Sequence, residues 1–433
     1  MTPTILVIIG ISGDLAHRRL LPAIQEIAKL GGLPEAFRIV GISRRDLKLS
    51  DVAPNDEFWE QHLELHQMDL EDKQAYHKLA TQLEGINRSL GGSAQRLFYL
   101  SLPPDAVQTV VEMLGETDLS KVPSTKLLLE KPFGTDLASA EGLVADLDKH
   151  FKEDQIYRID HYLAKEMAQN LVVFRAANPV FSQTWNHKFI ASIEVIASET
   201  IGIEGRGTFY EQTGALRDVV QSHLLQLLAL VLMELPKLDE LNSIPDLRHQ
   251  ALQQILPAKI AVRGQYMGYR KEVSNPNSNV ETFVSVNLES NDPNWKGVPI
   301  KLTTGKALDI HTTEIRITYR GEGNSEANVL TLHIQPNEGA DVSLWFKKPG
   351  FDRQLQQIPL SFEYKQSPKN KLPDAYERVF VDAMRSDHTL FSTSKEVLAS
   401  WEILGGIQAI WGESADDLRF YEKGSTPDAI SAG

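Results

Sequence analysis

Apolar and polar positions follow two rhythms along the chain, and the rhythm changes near residue 190. Before that point, short continuous apolar runs alternate with stretches of helical period. Ile5–Ile9 contains no polar residue, the pattern of a strand buried on both faces. Leu15–Leu30 follows with helical spacing and stops at Gly31-Gly32. Phe37–Ile42, Arg96–Leu100 and Lys126–Leu129 read as further strands. Phe58–Glu64, Lys73–Leu83 and Ala106–Leu114 read as helices. This alternation predicts a doubly wound parallel sheet. After residue 190, Ala191–Ser198, Val280–Leu288, Glu314–Tyr319, Val329–Gln335, Ser343–Phe346 and Pro359–Tyr364 read as strands. Few helices separate the later ones, so an α+β part with an antiparallel sheet is expected. Tyr376–Met384 and Lys395–Ile410 read as helices. Leu224–Met233 is an apolar helical run too short to span a bilayer, hence a core helix. Glu422–Gly433 is small and polar and is expected to fray.

A chain of 433 residues exceeds one ordinary core. The change of rhythm suggests two domains, drawn at 1–157 and 158–433. The net charge of −14 argues against nucleic acid or an anionic membrane as the main partner. The absence of cysteine excludes disulfides, thiolate metal sites and thiol catalysis. The apolar N-terminal run lacks a basic flank and a cleavage site, and the expected location is cytoplasmic.

The candidate chemistry begins where the first strand meets the first helix, at Gly10-Ile11-Ser12-Gly13-Asp14-Leu15-Ala16. Gly10 allows a tight turn there, and Gly13 allows close backbone approach to a pyrophosphate at a helix N-terminus. Ser12 fills a position usually held by glycine, and a plain tight turn is the alternative. Past the second strand, where an NAD-specific domain carries a carboxylate, the chain reads Ser43-Arg44-Arg45. A hydroxyl and guanidiniums suit a 2′-phosphate, so NADP is expected over NAD, with NAD as a weaker acceptor. A surface basic pair is the alternative. Lys131 stands at another strand end, before Pro132, which can fix an unusual backbone, a cis bond included.

Tyr157–Glu166 (YRIDHYLAKE) crowds Arg, Asp, His, Lys and Glu among two Tyr rings. A helix from Asp160 would place His161 and Lys165 on one face, with Tyr162 nearby, as an anion pocket. An ion-pair knot at a domain boundary is the bland alternative. His223 stands at the mouth of the Leu-rich helix. It is a candidate general base near neutral pH, or a satisfied buried imidazole. Its carboxylate partner is open among Asp160, Glu199 and Asp218. Lys306 is either a substrate contact or a surface lysine.

These segments together resemble the glucose-6-phosphate dehydrogenase family. The matching pieces are GISGDLA at 10–16, EKPFG at 130–134, YRIDHYLAKE at 157–166, EGRGTFYEQTGALRDVVQSHLLQLL at 204–228, GKAL at 305–308 and AYERVFVDAMRSDHTLF at 375–391. The resemblance implies an N-terminal Rossmann-like α/β domain and an α+β C-terminal domain with a large, mainly antiparallel sheet. It implies oxidation of glucose 6-phosphate to 6-phosphoglucono-δ-lactone with NADP and no metal. His223 is then the base and Asp160 its orienting carboxylate, with Lys131 between sugar and nicotinamide. His161, Tyr162, Lys165 and Lys306 bind phosphate, and Glu199 and Asp218 hold sugar hydroxyls. Gly10, Ser12, Gly13, Asp14, Leu15, Ser43 and Arg44 contact the cofactor. The chain departs from the family's pattern at Ala164, where glycine is usual, at Ser222 beside His223, and at His311, where a more basic phosphate ligand is common. A homodimer or a dimer of dimers is expected. The competing readings are a non-catalytic sugar-phosphate or dinucleotide sensor, and an oxidoreductase acting on a non-phosphorylated sugar.

Overall fold

The computed structural model describes residues 1–432 except 55, 118, 123, 238, 322–326 and 365–371. Its strands, in chain order, are β1 (Thr4–Ile9), β2 (Phe37–Ser43), β3 (Leu63–Gln67), β4 (Gln95–Leu100), β5 (Thr125–Leu129), β6 (Ile156–Ile159), β7 (Ile190–Ser198), β8 (Ile260–Tyr266), β9 (Phe283–Leu288), β10 (Ile300–Gly305), β11 (Thr312–Tyr319), β12 (Val329–Gln335), β13 (Gly339–Lys347), β14 (Leu355–Glu363), β15 (Phe391–Ser392) and β16 (Leu418–Tyr421). They fall into two units. The first comprises Met1–Ala164 and Pro373–Ser394, and the second Lys165–Leu372 and Lys395–Gly433.

The first unit carries a sheet in the order β15-β6-β5-β4-β1-β2-β3. All its pairs are parallel except β15 against β6. Without β15 this is the strand order of a doubly wound dinucleotide-binding sheet. The order reverses between β1 and β4, which opens a crevice at their carboxyl ends. Every residue of β1, β4 and β5 is buried, as strands covered on both faces require. The helix Ala375–Arg385 adds Val379, Phe380, Ala383 and Met384 to the core beneath this sheet.

Two local expectations for this unit are corrected. The helix over Phe58–Glu64 ends at His62, because β3 begins at Leu63 and pairs with β2. The Tyr157–Glu166 segment is not helical from Asp160. It is strand to Ile159, and then the Asp160 carboxylate accepts the Tyr162 N–H at 3.0 Å. That side-chain turn competes with helix nucleation. The next helix starts only at Glu166, with Lys165 in extended conformation before it. His161 and Lys165 therefore share no helical face.

The second unit is built on a nine-stranded sheet, β14-β13-β12-β11-β7-β10-β9-β8-β16. It is antiparallel apart from β7 with β10 and β8 with β16. Pro359 lies in β14 at the sheet's edge, where its missing N–H leaves no ladder bond unmade. The stretch Gly207–Leu232 is long and apolar enough to cross a membrane, but 83% of its apolar window is buried inside the protein. Its C-terminal carbonyls are capped by side chains. Trp185 donates to Val231, Trp295 to Leu232, and Arg175 to Leu230 and Met233. The expected fraying after Glu422 is also corrected. Pro427–Ala432 is a helix, Ile430 is buried among Tyr266, Phe283 and Tyr421, and Ser425 bridges to Leu308. Gly433 lies outside the described residues.

Candidate active site

In the first unit, the turn after β1 lies at the crevice. Gly10 has φ +91°, and a Cβ there would collide with the Ser101 carbonyl oxygen that follows β4. Ser101 in turn donates its N–H to Ile9 at 2.9 Å. Two neighbouring strand ends thus meet backbone to backbone, which only glycine permits. The Gly13 N–H returns to the Gly10 carbonyl at 2.9 Å, and the helix begins with Asp14 and Leu15. Asp14 is exposed and ion-paired to Arg18 at 2.6 Å. Ser12 is half-buried. At the end of β2 the Ser43 hydroxyl accepts the Arg45 N–H at 3.0 Å, which turns the chain and leaves Arg44 and Arg45 in solvent. These features fit a dinucleotide with a 2′-phosphate: a glycine cradle at a helix N-terminus, and exposed guanidiniums where a ribose-binding carboxylate would otherwise stand.

Lys131 follows β5, and the Lys131–Pro132 bond is cis. Its neighbour Glu130 accepts a hydrogen bond from the Tyr99 hydroxyl. Burial raises the Glu130 pKa, while Tyr99, Lys131 and Tyr376 oppose the rise and nearby Asp160 adds to it. The strand end therefore holds Lys131 and Asp160 around one constrained carboxylate. Asp160 is buried, and the Tyr162 ring meets His161 edge-on at 5.0 Å.

In the second unit, β7 and β10 run side by side and end together, Ser198 opposite Gly305. The residues just beyond, Glu199 and Lys306, form an ion pair at 2.6 Å with Lys306 buried. Lys306 Nζ also lies over the Tyr210 ring, 5.8 Å from its centre. The Tyr210 hydroxyl is buried without a hydrogen-bond partner. Burial, then Asp218, then other carboxylates including Glu281 and Glu199, hold its pKa well above that of an ordinary phenol. Asp218 is half-buried and His223 fully buried on Leu216–Leu224, a segment wound with wide π-type turns. Lys165 stands at the start of Glu166–Ala177, near Glu338, whose carboxylate accepts the Met167 N–H at 2.6 Å. His311 is exposed.

The structure thus groups Glu199, Asp218 and Lys306 in one neighbourhood of the second unit, with Tyr210 at its centre. Asp160, His161 and Tyr162 belong to the first unit and Lys165 to the second. Ser101, Glu130, Tyr210 and Glu281 join these residues from the structure. Glu130 adjoins Lys131 in the same short motif, a usable signal. Tyr210 likewise lies inside the 204–228 motif, whereas Ser101 and Glu281 act through distant chain segments and leave no local pattern.

A dinucleotide cradle on a parallel sheet, joined in one chain to an antiparallel unit with a buried imidazole, defines a class: two-domain pyridine-nucleotide oxidoreductases. Comparison with known proteins narrows this. The model of the glucose-6-phosphate dehydrogenase NAD binding domain matches residues 7–170, and that of the C-terminal domain matches residues 172–432. Glucose-6-phosphate 1-dehydrogenase of Chlamydia muridarum is 35% identical over 98% of this chain and 93% of its own length. The Bacillus subtilis enzyme of that name is 34% identical over 97% and 94%. A solved structure of glucose-6-phosphate dehydrogenase in complex with its substrate glucose-6-phosphate superimposes with a TM-score of 0.91 at 31% identity, covering 100% of this chain and 96% of the other. The chain belongs to the glucose-6-phosphate dehydrogenase family.

Proposed function

We propose that this protein oxidises glucose 6-phosphate to 6-phosphoglucono-δ-lactone with NADP, the first step of the oxidative pentose phosphate pathway. The observation that carries the reading is the buried imidazole of His223, on the same helical segment as Asp218, in a chain that matches the family along both parts. His223 takes the proton of the anomeric hydroxyl, work suited to an imidazole near neutral pH. Asp160 is the carboxylate that orients it and stabilises the imidazolium. Glu199 and Asp218 accept hydrogen bonds from sugar hydroxyls, and Lys306 keeps Glu199 in place. His161, Tyr162, Lys165 and Lys306, with His311, hold the phosphate. That anchors a non-reacting part of the substrate and places the anomeric carbon. Gly10, Ser12, Gly13, Asp14, Leu15, Ser43, Arg44 and Lys131 hold the dinucleotide, with NAD as the weaker alternative. When bound, NADP supplies the hydride acceptor.

The assembly is a homodimer or a dimer of dimers in the cytoplasm. One face of the β13–β14 hairpin leaves Phe346, Ile358, Leu360 and Phe362 exposed, the last three at alternate positions of the edge strand. Such a surface favours self-association. The function is tested by absorbance of reduced nicotinamide with glucose 6-phosphate and either cofactor, for wild type and His223→Asn. Turnover with NADP that the variant loses by about 10²–10⁴-fold is expected. A folded wild type without turnover overturns the reading.

A further inference from the structure

The helix that carries Asp218 and His223 does not start where its apolar stretch starts. It breaks at Gly214, with φ 63° and ψ 177°, and resumes with wide turns over Leu216–Leu224. Asp218 and His223 are five positions apart. In an α-helix, at about 100° per residue, they would point roughly 140° apart. Winding with i→i+5 bonds turns residues five apart back toward one face. The Leu225 N–H does reach the Val220 carbonyl, five residues back.

One side chain sits at the break. Glu281, buried just before β9, accepts the Leu216 N–H on its carboxylate at 2.9 Å and the Ala215 N–H on its own carbonyl at 3.0 Å. These are among the donors that a helix start leaves unsatisfied. A Cβ on residue 214 would collide with the same carboxylate, and φ there is left-handed, so glycine and Glu281 define the break together. Burial raises the Glu281 pKa, while the Leu216 N–H, Arg217 and Arg263 favour its charge.

From this geometry we infer that Glu281 is a positioning residue for the reaction. It seats the break at Gly214 and thereby sets the winding that presents Asp218 and His223 together. This deepens the function proposed above and rests on it for the roles of those two residues. The seat itself is a property of the fold.

Glu281→Ala, Glu281→Gln and Gly214→Ala test it. Each is followed by turnover, the pH profile of kcat, NADP binding by calorimetry, thermal unfolding, and hydrogen exchange over Ala215–Leu224. Glu281→Ala and Gly214→Ala are expected to lower kcat about ten- to a hundredfold, as small misplacements of reacting groups do, with NADP affinity unchanged. Exchange over Ala215–Leu224 should quicken in both. Glu281→Gln keeps an oxygen for the Leu216 N–H and should stay within about threefold of wild type. Wild-type kcat and pH profile in Glu281→Ala, whatever its melting point, would overturn the inference. So would Glu281→Gln failing as badly as Glu281→Ala. If Glu281→Ala does not fold, Gly214→Ala decides alone, and a wild-type kcat there refutes the seat. An inactive wild type would sink the proposed reaction and not the seat, which the exchange data still judge.

Discussion

Replacing Lys306 by Met removes the ammonium and keeps most of the side-chain volume. The ion pair with Glu199 is 2.6 Å long, with side-chain exposures of 4% and 26%. At an effective dielectric near 20, unit charges that close attract by about 6 kcal/mol. Desolvation of both groups offsets most of this, and breaking a buried pair from one side costs roughly 3–5 kcal/mol because a charge is stranded. Glu199 keeps a quarter of its exposure, so a loss of about 2–3 kcal/mol is expected. The stranded carboxylate also lies among Asp218 and Glu281 around Tyr210, which adds repulsion. Urea unfolding followed by circular dichroism measures the loss. The double variant Lys306→Met/Glu199→Gln leaves no stranded charge and should recover at least half the stability, while kcat/KM for glucose 6-phosphate stays depressed about tenfold or more in both. A single variant within about 0.5 kcal/mol of wild type, or a double variant no more stable than the single, would refute the reasoning.

Lys165→Ala should raise KM for glucose 6-phosphate by at least about tenfold, the worth of one charge-assisted phosphate contact, and an unchanged KM removes Lys165 from the phosphate site. Arg44→Ala should raise KM for NADP about tenfold and leave that for NAD unchanged; equal effects on both cofactors would remove Arg44 from 2′-phosphate recognition. Asp382 is buried, and burial, with Asp387 next, pushes its pKa up to about 6 despite Arg378 and Arg385. The folded state therefore holds a proton that the unfolded chain gives up near pH 3.9. Its stabilisation is complete below about pH 4 and lost as pH rises through about 6, some 2–3 kcal/mol in all. Asp382→Asn should flatten that slope in unfolding measurements between about pH 4 and 7, and an unchanged slope assigns it to other groups.

The parallel sheet was legible wherever strands are buried on both faces, since β1, β2, β4 and β5 read as apolar runs. β3 is half polar at the sheet's edge, and its sequence continues the preceding helical pattern, so periodicity alone runs the helix through it. Within Tyr157–Glu166 the residue types pointed to chemistry, but the turn at Asp160 rests on a side-chain-to-backbone bond that periodicity does not register. The meeting of Glu199 and Lys306 depends on β7 and β10 lying side by side and parallel, a pairing across about a hundred residues that the alternation of apolar and polar positions does not register. Glu281 was invisible for a related reason. Its partners, Ala215 and Leu216, lie about 65 residues away and are backbone groups of no particular residue type.

The first unit is completed by Pro373–Ser394, which arrives after most of the second has been made. A ribosome adding roughly 5–20 residues per second needs on the order of ten to fifty seconds to pass from Ala164 to Ser394. Throughout that interval the nascent β6 has no β15 beside it, and the apolar underside of the sheet lacks Val379, Phe380 and Met384. An exposed strand edge and an uncovered core invite pairing with other chains. Production of this enzyme therefore depends on what shelters a half-made sheet, and neither unit can be excised with a single cut.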